Sequence, residues 1–353
     1  MIGDVIMVGG LLNKLIGTQV NTIRQEESIE VDRLKSITVS SDIATVKVLT
    51  HELPRVDIQF ESYEGGPVLK TEKSEEALMI IAEKERKGST FFFGTLPKSI
   101  LQLYVPRDIA DNWDIRVTSG KISMKQLIAE TFRISATSGV IQATDITAGK
   151  MFTDTTSGKI IIDKLRAENL QFLANSGKVE INSSYGDITG KVGSGSVRMA
   201  EVKGEELDIR AGSGRVILNE IYMKNATIRA NSGTITAEHF WSETTEANVG
   251  SGRIELRDIR GAVKGDANSG NINLEMSDNS ALDLRTGSGN IHLDYQDFEL
   301  DTLFDIRTGS GGIQTNIAMN TEQKDRNHLY GKVGNGKNVV RLRTGSGNVS
   351  INK

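Results

Sequence analysis

Ile or Val stands two residues after a Ser-Gly pair twelve times along the chain, at Ile122, Ile141, Ile160, Val179, Val197, Val216, Ile235, Ile254, Ile272, Ile291, Ile313 and Val349. Four residues after the same glycine the chain is again mostly apolar, as at Met124, Ile162, Ile181, Met199, Leu218 and Leu274, and the residue between is mostly polar, as at Ser123, Glu180, Arg198 and Asn273. Alternation with period two predicts a strand with one face inward. The same alternation precedes the pair in Ile115-Arg116-Val117, Ile209-Arg210-Ala211, Ile228-Arg229-Ala230 and Ile306-Arg307-Thr308. Counting from Val117 to Ile122 gives five positions, an odd number, so an unbroken strand would turn one of the two apolar sets to water. The pattern therefore requires a bend at the pair.

The bend falls on Gly120, Gly139, Gly158, Gly177, Gly195, Gly214, Gly233, Gly252, Gly270, Gly289, Gly311 and Gly347, and the first nine steps are 18 or 19 residues each. A period this short and regular means one supersecondary unit stacked on copies of itself. Glycine suits the bend because it takes positive φ freely and leaves room for the backbones of neighbouring coils. The expected fold is all-β: a single-stranded β-solenoid, or β-helix, with 18–19-residue coils. At an inter-strand spacing of about 4.8 Å, twelve coils would make a rod roughly 55 to 60 Å long.

Upstream, residues 36–111 lack the Ser-Gly punctuation but still read as strands in SITVSS, ATVKVLT, RVDIQFES, ALMIIAEK and ILQLYVP. All four prolines (Pro54, Pro67, Pro97, Pro106) lie there, and a proline-poor repeat with a proline-bearing lead-in suits a ladder opened by an irregular β cap. The run TEKSEEALMIIAEKERKGS could be a helix; LMII followed by a polar stretch and FFFG favours strand. Residues 1–35 form an apolar amino-terminal segment in which Ile2, Val5, Ile6, Leu12 and Ile16 could share one helical face or cover the end of the core. The organisation expected is thus 1–35, then 36–111 opening the solenoid, then the regular solenoid over 112–353. The step widens to 22 residues before Gly311 and 36 before Gly347, which predicts a loop insertion near 316–340 in one coil, with KVGNGK as a degenerate bend.

Composition narrows the function. Net charge is −4 with both signs interspersed, which excludes the basic balance of a dedicated nucleic-acid binder. There is no cysteine, hence no disulfide or thiolate metal site. The amino terminus carries Asp4 and Lys14, lacks a basic leader and is too short and glycine-rich for a secure membrane span. The chain reads as cytoplasmic, at most peripheral to the membrane. No cofactor or metal is expected: GxxxxGK[ST] and GGxGxD are missing. Aspartates such as Asp154, Asp187, Asp208 and Asp258 fall at differing repeat positions. The four histidines (His51, His239, His292, His328) are scattered, and Trp113, Tyr222, Trp241 and Tyr295 look dispersed. No catalytic constellation emerges, and the expectation is a protein that is not an enzyme. One surface feature recurs four residues before the glycine, where Arg116, Arg210, Arg229, Arg285, Arg307 and Arg343 would stack into a basic ladder able to meet an anionic polymer or membrane surface.

The repeated [T/N/G]-S-G-x-[I/V]-x-[I/L/M] unit, with the lead-in ITVSSDIATVKV and LQLYVP, resembles a bacterial β-strand-repeat family of unknown function labelled "putative adhesin", over roughly residues 36 to 353. That resemblance implies a β-solenoid and defines no catalytic residues. It also implies a role near envelope stress, since some members are encoded beside envelope-stress genes. The expected function is an adhesin-like scaffold or interaction protein with a protein or cell-envelope partner. Two other readings stay open: a polysaccharide lyase or hydrolase on a β-helix, and a self-assembling solenoid.

Overall fold

A computed structural model describes residues 22–42, 44–84 and 98–353. The helical face expected over residues 2–16 and the FFFG segment lie outside the described residues. Strands β1 (Thr22–Glu30), β2 (Leu34–Ser41), β3 (Ala44–Thr50), β4 (Arg55–Tyr63), β5 (Pro67–Lys73), β6 (Ala77–Lys84) and β7 (Ser99–Val105) precede the regular array. The array comprises β8 (Ala110–Lys125) and β9 (Ile128–Met276), which alone carries eight of the repeat glycines. There follow β10 (Leu282–Ser288), β11 (Ile291–Tyr295), β12 (Thr302–Ser310), β13 (Ile313–Thr315), β14 (Asn320–Lys324), β15 (His328–Val333), β16 (Asn338–Ser346) and β17 (Val349–Asn352). The protein is a β-solenoid.

Successive coils pair in parallel at a one-coil offset, with Ile115 opposite Ile134, Gly120 opposite Gly139 and Ile122 opposite Ile141. Each coil has three short faces. In one of them Phe132, Ile134 and Ala136 point inward, the chain bends at Gly139, Ile141 and Ala143 point inward, and a second bend at Asp145 leads to Ile146 and Ala148. Of the twelve Ile/Val residues that define the repeat, all but Ile313 in the outermost coil are fully buried. Removing such a side chain from water is worth about 1.5 to 3 kcal/mol, so every coil adds its own driving force.

Close stacking explains the glycine bend. A Cβ on Gly214 would stand 1.8 Å from the carbonyl oxygen of Gly195, and one on Gly158 2.0 Å from that of Gly139. Gly214 has φ +157°, whereas Gly158 lies outside the left-handed window, so the approach of neighbouring backbones is the requirement the two share. The second bend takes no glycine. Gln126, Asp145, Lys164, Ser183, Glu201, Glu220, His239 and Asp258, each six residues after a repeat glycine, hold φ between 45 and 60°. Left-handed backbone costs a non-glycine residue roughly 1 kcal/mol or more, and the ladders on either side sustain it.

Both ends of the rod are interleaved. The coil made by β2 and β3 lies between β8 on one side and the coil of β6 and β7 on the other. At the far end β16 and β17, the last strands of the chain, lie between β10–β11 and β12–β13. An asparagine column traces that order: the Asn271 side-chain oxygen accepts from the Asn290 N–H (2.9 Å), Asn290 from Asn348 (2.8 Å), and Asn348 from Gly312 (2.8 Å). Antiparallel strands then close each end. β4 lies on β7, β5 on β6 and β1 on β4, while β15 lies on β12 and β14 on β15. The segment after Gly311 is therefore a β14–β15 hairpin over the end coil. KVGNGK is not a bend of the glycine column: Gly334 and Gly336, at φ +63° and +73°, lie in the reversal from β15 to β16.

Candidate functional site

The first outward face, just before the glycine bend, carries the arginines singled out by the sequence. In order along the axis the column reads Arg116, Ser135, Asp154, Leu173, Lys191, Arg210, Arg229, Asn248, Asp266, Arg285, Arg343 and Arg307. Each of the six arginines has a carboxylate beside it. Asp114 holds Arg116 at 2.5 Å, Asp208 holds Arg210 and Asp283 holds Arg285 at 2.8 Å, and Glu246 holds Arg229 at 3.3 Å. Asp305 takes both Arg307 (3.1 Å) and Arg343 (3.8 Å). The strand period places Asp114, Asp208, Asp283 and Asp305 two residues before an arginine on the same face, while Glu246 and Asp305 reach Arg229 and Arg343 from neighbouring coils, so the basic ladder is largely neutralised along its length. Beyond the glycine bend, Glu180 accepts from Lys159 (2.6 Å) and Lys178, and these two ammonium groups hold its carboxyl below the usual range.

A different column is aromatic. Eight residues after successive glycines, the third face presents Arg166, Tyr185, Lys203, Tyr222, Trp241 and Arg260. The Lys203 ammonium lies 5.0 Å from the Tyr222 ring centroid, Tyr222 meets Trp241 edge to face at 4.6 Å, and the Arg260 guanidinium lies 4.6 Å over the indole. Tyr185, at 63% exposure, is the most open of the large hydrophobic side chains among the described residues. The aromatics that look dispersed in the sequence thus divide into two sets. Trp113 and Tyr295 are buried in the core, while Tyr222 and Trp241 are one coil apart and half-buried on an outer face. Their separation of 19 residues, one period, was the available signal.

Beside that column runs the left-handed bend, with Glu201, Glu220, His239 and Asp258 in consecutive coils. The His239 Nδ1 lies 2.5 Å from Asp258, whose other oxygen accepts from the Ser277 hydroxyl. A serine, an aspartate and a histidine are brought together, but the carboxylate stands in the middle. The serine faces a carboxylate of lowered pKa and not the imidazole, so the arrangement lacks the serine–histidine pairing that activates a nucleophile. The Asp258 hydrogen bond holds the imidazole above its usual pKa, and the Ser277 and His239 contacts hold the Asp258 carboxyl below its own. The stabilisation from His239 is therefore complete below the unfolded value near 6.5 and lost as pH rises through the elevated folded value. An NMR titration of His239 is expected to give a midpoint above 6.5 that falls in Asp258→Asn; a midpoint unchanged by that substitution would contradict the contact.

Among the described residues no three His, Asp or Glu side chains gather to hold a metal ion, and no helix is long and apolar enough to cross a membrane. The repeat geometry has a counterpart in a known family, whose model, Toastrack DUF4097, matches residues 34–189 and again 182–352. The chain belongs to the Toastrack DUF4097 family. The two Toastrack matches meet inside β9, where the ladder runs on unbroken. Similar solved structures include one described as a "putative adhesin" from Bacteroides fragilis, 12% identical, with 95% of this chain and 100% of that chain covered and a TM-score of 0.27. A second "putative adhesin", from Parabacteroides distasonis, is 10% identical, with 93% and 97% covered and a TM-score of 0.30. A "putative cell adhesion protein" from Clostridium sporogenes is 12% identical, with 94% and 99% covered and a TM-score of 0.21. No curated protein matches the chain.

Proposed function

We propose that this Toastrack protein is a non-enzymatic, adhesin-like interaction scaffold that meets a protein partner at the cell envelope through the Arg166–Arg260 column. The observation that carries this reading is the composition and fixing of that column. Tyr, Trp and Arg are the residues most enriched where binding energy concentrates, and here they fill five of six adjacent coil positions, with Lys203 the sixth. Cation–ring contacts hold Tyr222 and Trp241 in place before binding, which reduces the side-chain entropy lost on association. Two further observations support a scaffold. The Ser277–Asp258–His239 line is ordered wrongly for nucleophilic catalysis. The outer strands β1 and β14 carry charged and polar residues in TIRQEESIE and NTEQK, which blunts end-to-end pairing of rods.

The test is affinity capture from native membranes and cytosol with the intact chain, followed by a binding titration against the partner retained. Tyr185→Ala with Trp241→Ala is expected to weaken binding by at least about tenfold, equivalent to about 1.4 kcal/mol. Arg116→Ala with Arg285→Ala, on the neutralised face, should leave it unchanged. The reverse pattern, with steep loss of binding in salt, would move the contact to the arginine column and an anionic surface.

A further inference from the structure

The first face also carries a dent of about 460 Å³, within the size range of small-molecule sites. Its floor comes from a local exchange of bulk. Gly190 takes the inward position that most coils give to Ile or Leu, and the Phe172 ring of the preceding coil fills the space, so that a Cβ on Gly190 would meet it at 1.9 Å. Above that floor two outward positions are apolar where their column neighbours are polar or charged: Phe152 lies between Arg133 and Gln171, and Leu173, 43% exposed, lies between Asp154 and Lys191. An apolar patch on an otherwise polar solenoid face is the unexplained feature.

The charges around the dent are unequally committed. Arg210 is held by Asp208 at 2.8 Å, Asp154 accepts from Ser135 at 2.7 Å, and the Arg133 guanidinium lies 4.7 Å over the Phe152 ring. Lys191 has no ion-pair or hydrogen-bond partner among the described residues, and its column places it beside Leu173. An apolar floor with one uncommitted cation at its rim is complementary to a molecule with an apolar body and a single negative head.

We propose that this dent binds a small amphipathic organic anion, an aryl or acyl group bearing a carboxylate or sulfonate. The apolar body lies on Phe152 and Leu173 over the Phe172 floor, and the head meets Lys191. This site stands on a different face from the aromatic column and does not depend on the partner assigned there.

The probe is anilinonaphthalene sulfonate, titrated by fluorescence against the full chain, with circular dichroism confirming that each variant remains folded. Saturable one-site binding is expected, weakened by about tenfold in Lys191→Glu and in Leu173→Asp and reduced by added salt, with Tyr185→Ala unaffected. Octanoate should displace the probe and the uncharged 1-octanol should not. Affinity unchanged in both dent variants, equal displacement by 1-octanol, or no saturable binding by the folded chain would each overturn the proposal.

Discussion

Ile351→Ala, in β17, is expected to cost about 2 to 5 kcal/mol, the loss of a residue deep in a core. Here the last coil is internal: Val340, Leu342, Val349 and Ile351 are fully buried, with β11 on one side of β17 and β13 on the other. The partner experiment is Ile313→Ala, opposite Val349 in the outermost coil and only partly buried. Urea unfolding should rank Ile351→Ala well above Ile313→Ala. Hydrogen exchange should agree, with the amides of Val349 and Ile351 among the slow ones and those of β14 among the fast ones, since every β14 residue is exposed. Equal or reversed costs would mean that the interleaved order is not the one adopted in solution.

Gly214→Ala is expected to destabilise the rod by at least about 3 kcal/mol, at the upper end for an added methyl, because the obstruction is backbone. The Gly195 carbonyl oxygen, 1.8 Å from the new carbon, belongs to a ladder that cannot shift without opening two coils. Gly158→Ala separates the two possible causes. Gly158 shares the obstruction, at 2.0 Å, but not the left-handed φ, so a comparable cost would assign the effect to coil spacing and a mild one would assign it to backbone conformation. Arg215→Ala, at the exposed neighbour, should stay within about 0.5 kcal/mol. Both comparisons are read from denaturant midpoints at constant slope.

Much of this architecture is legible in the sequence because one face of every strand is buried. The Ile/Val columns and the odd count from Val117 to Ile122 locate the glycine bend without coordinates. The same count was available for the second bend, since Met124 to Leu127, Met199 to Val202 and Leu218 to Ile221 are also odd steps between buried residues. Its residue types hide it: Gln126, Lys164, Glu201 and His239 share no side-chain character, because the ladder enforces their backbone. The aromatic column was legible in principle by reading Tyr185, Tyr222 and Trp241 against the repeat period instead of along the chain. The carboxylates beside Arg116, Arg210, Arg285 and Arg307 were legible too, two residues upstream on the same strand face, whereas those beside Arg229 and Arg343 come from neighbouring coils. Spatial order at the ends was not, because a periodic pattern states that a segment is a coil and says nothing of which coil it lies against.

That order governs how such a protein can lengthen. Coils added beyond β17 would emerge from between two existing layers and have no free edge to continue, and the same holds for coils inserted between β1 and β2. Duplication inside β8–β9, between the two clasps, inserts a coil whose neighbours on both sides already match it. Variation in rod length among descendants of this gene should accordingly arise from the middle outwards, with the β2–β7 and β12–β17 clasps inherited intact.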